Sequence, residues 1–386
     1  MVDTAGRAMQ TVPAIYGDIG VRPIINGRGA TTAVGGTLMS PEVLAAMTDA
    51  ANAFVVLDEL NRRVGERVAT LTGMESGYVT SGSAAGMVLA AAACIAGTDP
   101  ARIKALPESD GLANELVIHR AHRINYDQML RVGGGRLVEI GAADHTEPRE
   151  LEEAFTARTA GVFYVDSRHT SPGALDFATV VRVAHDRGVP VIVDAASTVP
   201  PVDHLRRWGR WGADLVIFSG GKGLRGPQDS GFLAGRADLI EAARANGNPH
   251  ASVGRGMKVS KEAMAGLWKA IELFLETDHE AEYRTHLTQA TALASALEPV
   301  AEARWSIESD WEDWPAPVVR VSPAPGASWQ PSTIQATLMA GDPPVHIDVF
   351  KGDLLVSTHC LRTGDELEIA RQLVPLLERR SGAVSS

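Results

Sequence analysis

The chain has 386 residues, and 36 Lys and Arg against 47 Asp and Glu give a formal net charge of −11. Because single cores stop growing at roughly 250–300 residues, this length predicts two lobes, and the acidic balance disfavours nucleic acid as a partner. The two cysteines, Cys94 and Cys360, are too few for a disulfide framework. No apolar run is typical of a signal peptide or a membrane span, so we expect a cytoplasmic protein.

An α/β lobe is predicted from Pro41 to about Ala245. It begins with a helix over Pro41–Gly73, for which Ser40 is the expected N-cap. Short apolar strands then alternate with helices, which is typical of a mostly parallel sheet covered on both faces. The predicted strands are Gly77–Ser81, Glu115–His119, Arg136–Ile140, Gly161–Asp166, Val189–Asp194, Asp214–Ser219 and Gly231–Ala234. The predicted helices are Ala84–Ala96, Tyr126–Val132, Glu147–Ala157, Phe177–Arg187 and Val202–Trp208.

A smaller α+β lobe is predicted toward the C-terminus. A long helical region from Lys261 to about Leu297 leads into it, and a hairpin turns at Lys351-Gly352. Its predicted elements are the strands Val318–Val321, Val345–Phe350 and Leu354–His359 and the helix Glu366–Glu378. The expected organisation is an N-terminal arm over 1–40, a large domain over 41–258, and a connecting helix with a small domain over 259–386.

Two literal motifs have ordinary explanations. Gly221–Gly226 spells GxGxxG, but a strand rather than a helix follows, so we expect neither a dinucleotide site nor a Walker A loop. His346, Asp348 and His359 suggest a two-histidine, one-carboxylate metal site. The register of the predicted hairpin offsets His359 from His346 and Asp348, so we predict ordinary histidines and no metal.

Reactive and anion-binding groups follow the carboxyl ends of several predicted strands, where open α/β sheets bind ligands. Asp194 ends one strand, and Lys222 follows the next. Ser81-Gly82-Ser83 opens a helix whose N-terminus favours anions, and His122 can stack on an aromatic ring. Each feature alone also fits a cap or a loop residue. Together, a phosphate cradle, a stacking histidine, a carboxylate and an amine predict a pyridoxal-phosphate site.

These segments resemble the fold-type I pyridoxal-phosphate enzymes of the aspartate aminotransferase superfamily. More narrowly, they resemble the branch that contains the selenocysteine synthase SelA and D-glucosaminate-6-phosphate ammonia-lyase. The matching segments are Ile24–Gly27, Gly35-Gly36, Leu71–Gly73, Thr80–Gly86, His122-Arg123, Tyr126-Asp127, Val193–Ala196, Ser219–Lys222, Gly226–Gln228, Gly254–Val259 and Lys261-Glu262. The resemblance implies an α/β fold with a large domain whose mostly parallel, seven-stranded sheet is flanked by helices, plus a smaller C-terminal α+β domain, in a homodimer or larger homo-oligomer.

The resemblance also implies roles for single residues. Lys222 would form the Schiff base with the cofactor, and Asp194 would pair with its pyridine nitrogen. The remaining implied cofactor contacts are His122 and Ala196 on the two ring faces, and Ser81, Gly82, Ser83 and Ser219 at the phosphate. His169 and Thr170 are candidates for the phenolic oxygen. Arg362, Arg255 and Arg28 are candidates for a substrate anion, Arg255 across a dimer interface.

We predict a pyridoxal-phosphate lyase that acts on an amino acid or amino sugar acid. Lys222 removes the Cα proton, and loss of a β-substituent then gives ammonia and a 2-oxo acid. Racemase, aldolase and aminotransferase stay open as alternatives, because the same residues serve all four reactions. The chain lacks a match to the tRNA-binding N-terminal region of SelA and carries net charge −11, so selenium transfer is not expected. The presence of both Lys222 and Asp194 disfavours a purely ligand-binding role.

Overall fold

The structure is a computed structural model that describes residues 13–166, 171–311 and 315–378. Its contacts divide the chain into two compact units. The large unit comprises Thr37–Thr277, and the C-terminal unit combines the described residues up to Gly36 with those from Asp278 onward. The expected boundaries were 40/41 and 258/259, so a short N-terminal stretch and one helix are grouped differently.

The N-terminal segment contains the helix α1 (Ala14–Asp18) and the two-residue strand β1 (Ile25–Asn26). β1 pairs in parallel with Val345-His346. The Ile25 amide donates to the Pro344 carbonyl at 2.9 Å, and the Gly27 amide donates to the His346 carbonyl at 2.8 Å. These bonds explain why the segment groups with the C-terminal unit. Sequence reasoning did not predict β1.

The large unit is built on one seven-stranded sheet. Its helices are α2 (Pro41–Ala51), α3 (Leu57–Thr72), α4 (Gly82–Ala96), α5 (Pro100–Ala105), α6 (Gln128–Val132), α7 (Pro148–Ala154), α8 (Phe177–His185), α9 (His204–Arg210), α10 (Ala237–Ala245) and α11 (Lys261–Glu276). Its strands are β2 (Ser76–Thr80), β3 (Glu115–His119), β4 (Arg136–Ile140), β5 (Thr159–Val165), β6 (Val191–Asp194), β7 (Leu215–Ser219) and β8 (Gly231–Gly235). The strand order is β2-β8-β7-β6-β5-β3-β4, and β8 runs in the opposite direction to the other six strands. The predicted mostly parallel sheet is confirmed.

Both faces of this sheet are apolar. Successive strand residues enter different cores: Val162 and Val191 pack on one side, whereas Phe163 and Ile192 pack on the other. All four are fully buried. Continuous apolar strands are expected where helices cover both faces of a sheet, and this arrangement leaves only the strand ends free to carry polar groups.

Two predicted helices are each divided in the structure. The predicted helix Pro41–Gly73 is wrong as a single element, because α2 ends at Ala51 and α3 begins at Leu57. The linker contains Val55-Val56, whose β-branched side chains lower helix propensity. The expected N-cap is confirmed, since Ser40 Oγ accepts from the Val43 amide at 3.3 Å.

The predicted helical region Lys261–Leu297 is also two helices. α11 ends at Glu276, and Asp278 caps the next helix by accepting from the Ala281 amide at 2.9 Å. α11 stays with the large unit because it packs on α2, where a Cβ added to Gly266 would lie 2.7 Å from Met47 Cγ.

The C-terminal unit is α+β, as predicted. Its further elements are α12 (His279–Leu297), β9 (Ala303–Glu308), β10 (Val318–Pro323), α13 (Pro331–Met339), β11 (Val345–His346), β12 (Asp348–Phe350), β13 (Asp353–Ser357) and α14 (Asp365–Glu378). A four-stranded antiparallel sheet has the order β12-β13-β10-β9. The predicted strand Val345–Phe350 is divided, because β11 pairs with β1 whereas β12 pairs with β13. The predicted turn is confirmed, with φ of 50° at Lys351 and 86° at Gly352.

No helix within the described residues is long and apolar enough to cross a membrane. No group of three or more of their His, Cys, Asp and Glu side chains is placed to hold a metal ion. His346 lies in β11, whereas Asp348 lies in β12 and forms an ion pair with Arg28 at 2.7 Å.

Candidate active site

The candidate site lies along one edge of the seven-stranded sheet. The carboxyl ends of β2, β3, β5, β6 and β7 meet there, together with the start of antiparallel β8. Sequence reasoning placed a carboxylate, an amine, a histidine and a serine-rich turn at these strand ends. The topology brings all four to the same edge.

Asp194 and Lys222 form the charged centre of this edge. Asp194 is the last residue of β6 and is 7% exposed, and its Oδ1 accepts from the Ala196 amide at 3.0 Å. Lys222 follows β7, and the described residues give its Nζ no hydrogen-bond partner. Burial raises the pKa of Asp194, an effect that the Lys222 charge opposes. Burial likewise lowers the pKa of Lys222 against the pull of Asp194, which favours a neutral amine.

The glycines around Lys222 permit close backbone approach. A Cβ added to Gly223 would lie 1.9 Å from the Val199 carbonyl oxygen, and one added to Gly221 would lie 2.4 Å from Gln228 Cα. Thr37 Oγ1 also donates to the Lys222 carbonyl at 3.1 Å. The glycines of the GxGxxG sequence are therefore explained by the close packing of the loop around Lys222 against its neighbours. The element that follows this loop is the strand β8 and not a helix.

The turn Ser81-Gly82-Ser83 opens the 15-residue helix α4. Gly82 has a φ of +79°, a left-handed conformation that favours glycine. The Ser81 side chain makes no cap hydrogen bond, so the first-turn amides have no side-chain acceptor. Ser219 lies next to this turn, because it pairs with Gly231, whose added Cβ would lie 3.1 Å from the Ser83 amide nitrogen. This arrangement suits an anion.

His122 lies just after β3 and is fully buried. Its Nδ1 accepts from the Val165 amide at 3.3 Å, so the proton of the neutral ring is on Nε2, which has no hydrogen-bond partner. Burial and the adjacent His119 lower the pKa of His122 to about 3. Tyr164 packs edge-on against the ring with centroids 4.4 Å apart. His122 is therefore an uncharged, rigidly held ring at the sheet edge.

Sequence reasoning missed a second layer behind Asp194. Asp166 directly follows β5 and pairs with Arg207 of α9 at 2.5 Å, and Arg207 also contacts His204 at 2.7 Å. The strand-end rule that identified Asp194 could have singled out Asp166. Nothing in the sequence indicates its partner, which is 41 residues away.

The three predicted substrate arginines lie in different environments. Arg362, in the C-terminal unit, is exposed, and the described residues give its guanidinium no ion pair. Arg28 donates from Nε to Asp348 Oδ1 at 2.7 Å. Arg255, in the large unit, donates to Asn248 Oδ1 at 3.1 Å. The predicted contacts His169 and Thr170 lie outside the described residues.

These residues fit pyridoxal phosphate. The uncapped N-terminus of α4 suits the phosphate, and Asp194 Oδ2 suits the pyridine nitrogen, since the Ala196 amide occupies only Oδ1. The neutral His122 ring suits an aromatic face, and the half-buried Lys222 amine suits an aldehyde.

Comparison with known proteins agrees with this geometry. The family model of SelA, L-seryl-tRNA selenium transferase, matches residues 24–308. A 5'-C-glycyluridine monooxygenase-decarboxylase from Streptomyces sp is 37% identical over 382 residues, which cover 95% of this chain and 93% of that protein. The D-glucosaminate-6-phosphate ammonia lyase of Salmonella typhimurium is 39% identical over 306 residues, 78% of each chain.

Solved structures show the same relationship. The structure of D-glucosaminate-6-phosphate ammonia-lyase superposes with a TM-score of 0.80 at 32% identity, over 95% of this chain and 99% of that one. A NifS-like protein at 15% identity shares the fold with a TM-score of 0.62. The predicted fold-type I architecture and the predicted cofactor, pyridoxal phosphate, are confirmed, and the relatives support an enzyme of the lyase class.

Proposed function

Because the chain belongs to the SelA family, we propose that it is a lyase that removes the Cα proton of an amino acid or amino sugar acid and expels a β-substituent. The products are ammonia and a 2-oxo acid. The observation that carries the proposal is the pair formed by the buried Asp194 and the half-buried Lys222, in a chain 39% identical to an ammonia lyase over 306 residues.

The cofactor assignment follows the fit described above. Asp194 would hold the pyridine nitrogen, and its buried negative charge would keep that nitrogen protonated. The cofactor phosphate would be held by Ser81, Gly82, Ser83 and Ser219, which lie together at the start of α4. The two faces of its ring would be covered by His122 and Ala196. His169 and Thr170 stay assigned to the phenolic oxygen. When bound, pyridoxal phosphate supplies the electron sink for the electron pair left at Cα.

Lys222 both attaches the cofactor and moves the proton. A general base works best when its pKa lies near the working pH, and burial lowers the pKa of Lys222 in that direction. The amine on Nζ accepts the Cα proton, and the resulting ammonium is balanced by Asp194. The neutral His122 does not compete for that proton, because its pKa is about 3.

The substrate that we propose is anionic, and arginines recognise its acidic groups. The Arg362 guanidinium is exposed and, among the described residues, without an ion pair, so it can grip a carboxylate with both terminal nitrogens. Asp348 occupies Nε of Arg28, which leaves the terminal nitrogens of Arg28 for a carboxylate or phosphate. Arg255 is the third candidate. The phosphorylated sugar acid in the name of the Salmonella relative supports an amino sugar acid.

We further propose a cytoplasmic homodimer. Apolar side chains in the α2–α3 linker are exposed, with Phe54 fully exposed and Val56 68% exposed. Exposed apolar runs of this kind mark contact surfaces in soluble proteins, so a second copy of the chain is the occupant that we assign to this linker.

Oxidative decarboxylation is a second candidate. It is favoured by the coverage of the Streptomyces relative, a monooxygenase-decarboxylase matched over 95% of this chain. In that reaction the carboxylate leaves instead of the β-substituent, and dioxygen is consumed.

A product assay separates the reactions. The enzyme loaded with pyridoxal phosphate is incubated with D- and L-β-hydroxy amino acids and phosphorylated amino sugar acids, and ammonia and 2-oxo acid are quantified. We expect equal amounts of ammonia and 2-oxo acid without an added 2-oxo acid as amino acceptor. Lys222→Ala should form neither product. The matched variant Lys269→Ala should form both, because Lys269 pairs with Glu272 on the surface. Conversion only with an added 2-oxo acid would identify an aminotransferase. Epimerisation without ammonia would identify a racemase, and aldehyde release would identify an aldolase.

A further inference from the structure

A chain of polar contacts lies directly behind the cofactor site. Arg207 Nη2 donates to Asp166 Oδ2 at 2.5 Å, and Arg207 Nη1 contacts His204 Nε2 at 2.7 Å. His204 Nδ1 in turn contacts the Thr198 carbonyl at 2.6 Å. The Arg207 and Asp166 side chains are only 15% and 17% exposed. This series of polar contacts thus links the end of β5, helix α9 and the loop after β6.

The direction of each bond in this chain is determined by chemistry. Arginine can only donate, so His204 Nε2 must accept from Arg207. The proton of the neutral imidazole is then on Nδ1, which donates to the Thr198 carbonyl. Thr198 belongs to the loop after Asp194, and its Oγ1 donates to the Ala195 carbonyl at 3.1 Å. Arg207 therefore anchors, through His204, the loop that carries Ala196.

The same arginine neutralises a carboxylate next to Asp194. β5 and β6 are neighbouring parallel strands in which Val165 lies opposite Asp194, and the Asp166 amide donates to the Asp194 carbonyl at 2.9 Å. A negative charge on Asp166 disfavours a negative charge on Asp194. The Arg207 guanidinium, whose Nη2 lies 2.5 Å from Asp166 Oδ2, offsets that repulsion.

We propose that Arg207 is a positioning residue of the cofactor site, which neutralises Asp166 beside Asp194 and, through His204, anchors the loop that carries Ala196. The proposal depends on the cofactor assignment and not on the lyase reaction. It would survive if the product assay identified another pyridoxal-phosphate reaction.

The titratable and charged groups around Asp194 give the pH behaviour of the variants. They are Lys222 after β7, Asp166 after β5, the neutral His122 after β3, and Arg207 with His204 on α9. The ionised form of Asp194 is the one that would pair with a protonated pyridine nitrogen, so the affinity for the cofactor should fall as Asp194 is protonated. Losing Arg207 moves this fall to higher pH wherever Asp166 stays ionised, because Asp166 then repels Asp194 without compensation. Losing the Asp166 charge moves it to lower pH.

The test is a titration of apoprotein with pyridoxal phosphate, followed by the absorbance of the bound cofactor, from pH 5 to pH 9. We expect Arg207→Met to weaken binding about 10- to 100-fold, the loss that removal of a residue supporting a metal ligand causes at metal sites. Arg207→Lys should recover part of that loss. Arg210→Met is the matched control, since Arg210 lies on the same helix in an exposed pair with Asp203. It should bind as the parent does.

The opposite pH shifts distinguish positioning from a merely structural role. Arg207→Met should shift the acid-side fall in cofactor affinity to higher pH, and Asp166→Asn should shift it to lower pH. The double variant should bind the cofactor more tightly than Arg207→Met alone. Equal binding by Arg207→Met and Arg210→Met, or shifts of Asp166→Asn and Arg207→Met in the same direction, would overturn the proposal. If circular dichroism shows that Arg207→Met is unfolded, Asp166→Asn and Arg207→Lys decide. The proposal would then be overturned if cofactor affinity fell at the same pH in Asp166→Asn as in the parent.

Discussion

Replacing Gly223 by alanine tests whether the lysine loop needs its close contact with the loop after Asp194. The new Cβ would lie 1.9 Å from the Val199 carbonyl oxygen and 3.2 Å from Pro200 Cδ. Real Cβ atoms essentially never approach closer than 3.0 Å, so one backbone segment must move by about 1.1 Å. The obstacle is a backbone carbonyl, which cannot rotate away as a side chain would.

The expected cost has two parts. Overpacking of this kind destabilises by about 1–3 kcal/mol. A misplacement of about 1 Å at a reacting group costs roughly 100-fold in rate, and Lys222 is the residue next to the substitution. We therefore expect Gly223→Ala to lower the thermal unfolding temperature by a few degrees and to lower turnover about 100-fold. Thermal unfolding of the apoprotein and steady-state ammonia release measure the two effects separately.

Gly256→Ala is the matched control. A Cβ added to Gly256 meets nothing within 4 Å, and its φ is not in the left-handed region. We expect a change within about 0.5 kcal/mol, as for substitutions that create no clash. If Gly223→Ala matched Gly256→Ala in both stability and turnover, the contact between the two loops would not position Lys222, and our reasoning about this loop would be refuted.

Three further predictions concern single residues. Asp194→Asn should lower ammonia release about 100-fold or more, because the amide cannot keep a protonated ring nitrogen charged; single-turnover rates measure this, and a loss below tenfold would contradict the role. Burial lowers the pKa of His119 to about 4, so its contribution to stability is present above pH 6.5 and is lost as the pH falls through 4. His119 should therefore account for on the order of 3 kcal/mol of the fall in the free energy of unfolding between these pH values; this fall should be smaller in His119→Phe and the same as in the parent in the exposed control His250→Asn. Arg362→Met should raise KM with little change in kcat, because a carboxylate grip stabilises bound substrate and transition state alike; an unchanged KM would remove Arg362 from the substrate site.

The placement of Asp194 and Lys222 at one edge of the sheet could be predicted from the sequence, because strand ends follow from local patterns. Asp194 terminates an apolar run, and Lys222 follows the next one, so topology alone brings them to one edge. The serine turn was readable for the same reason, although only the structure shows that Ser81 makes no cap bond. These groups could be placed without knowing any contact between distant residues.

The support behind the edge could not be predicted, because it depends on contacts between distant residues. In the sequence Arg207 is one of several arginines on a short helix, and only tertiary packing separates it from the exposed Arg210. β1 was missed because two residues form a strand only against Val345 and His346, about 320 positions away. The division of Lys261–Leu297 required the capping bond of Asp278, which the periodic apolar pattern conceals.

The central claim, β-elimination on pyridoxal phosphate, is tested most directly by measuring products with and without dioxygen. The enzyme loaded with cofactor is incubated anaerobically with a phosphorylated amino sugar acid, and ammonia, 2-oxo acid and carbon dioxide are quantified together. We predict ammonia and 2-oxo acid in equal amounts, at the same rate as in air, and no carbon dioxide. Carbon dioxide formation that stops when dioxygen is removed would contradict the proposed elimination and would identify the reaction of the Streptomyces relative instead.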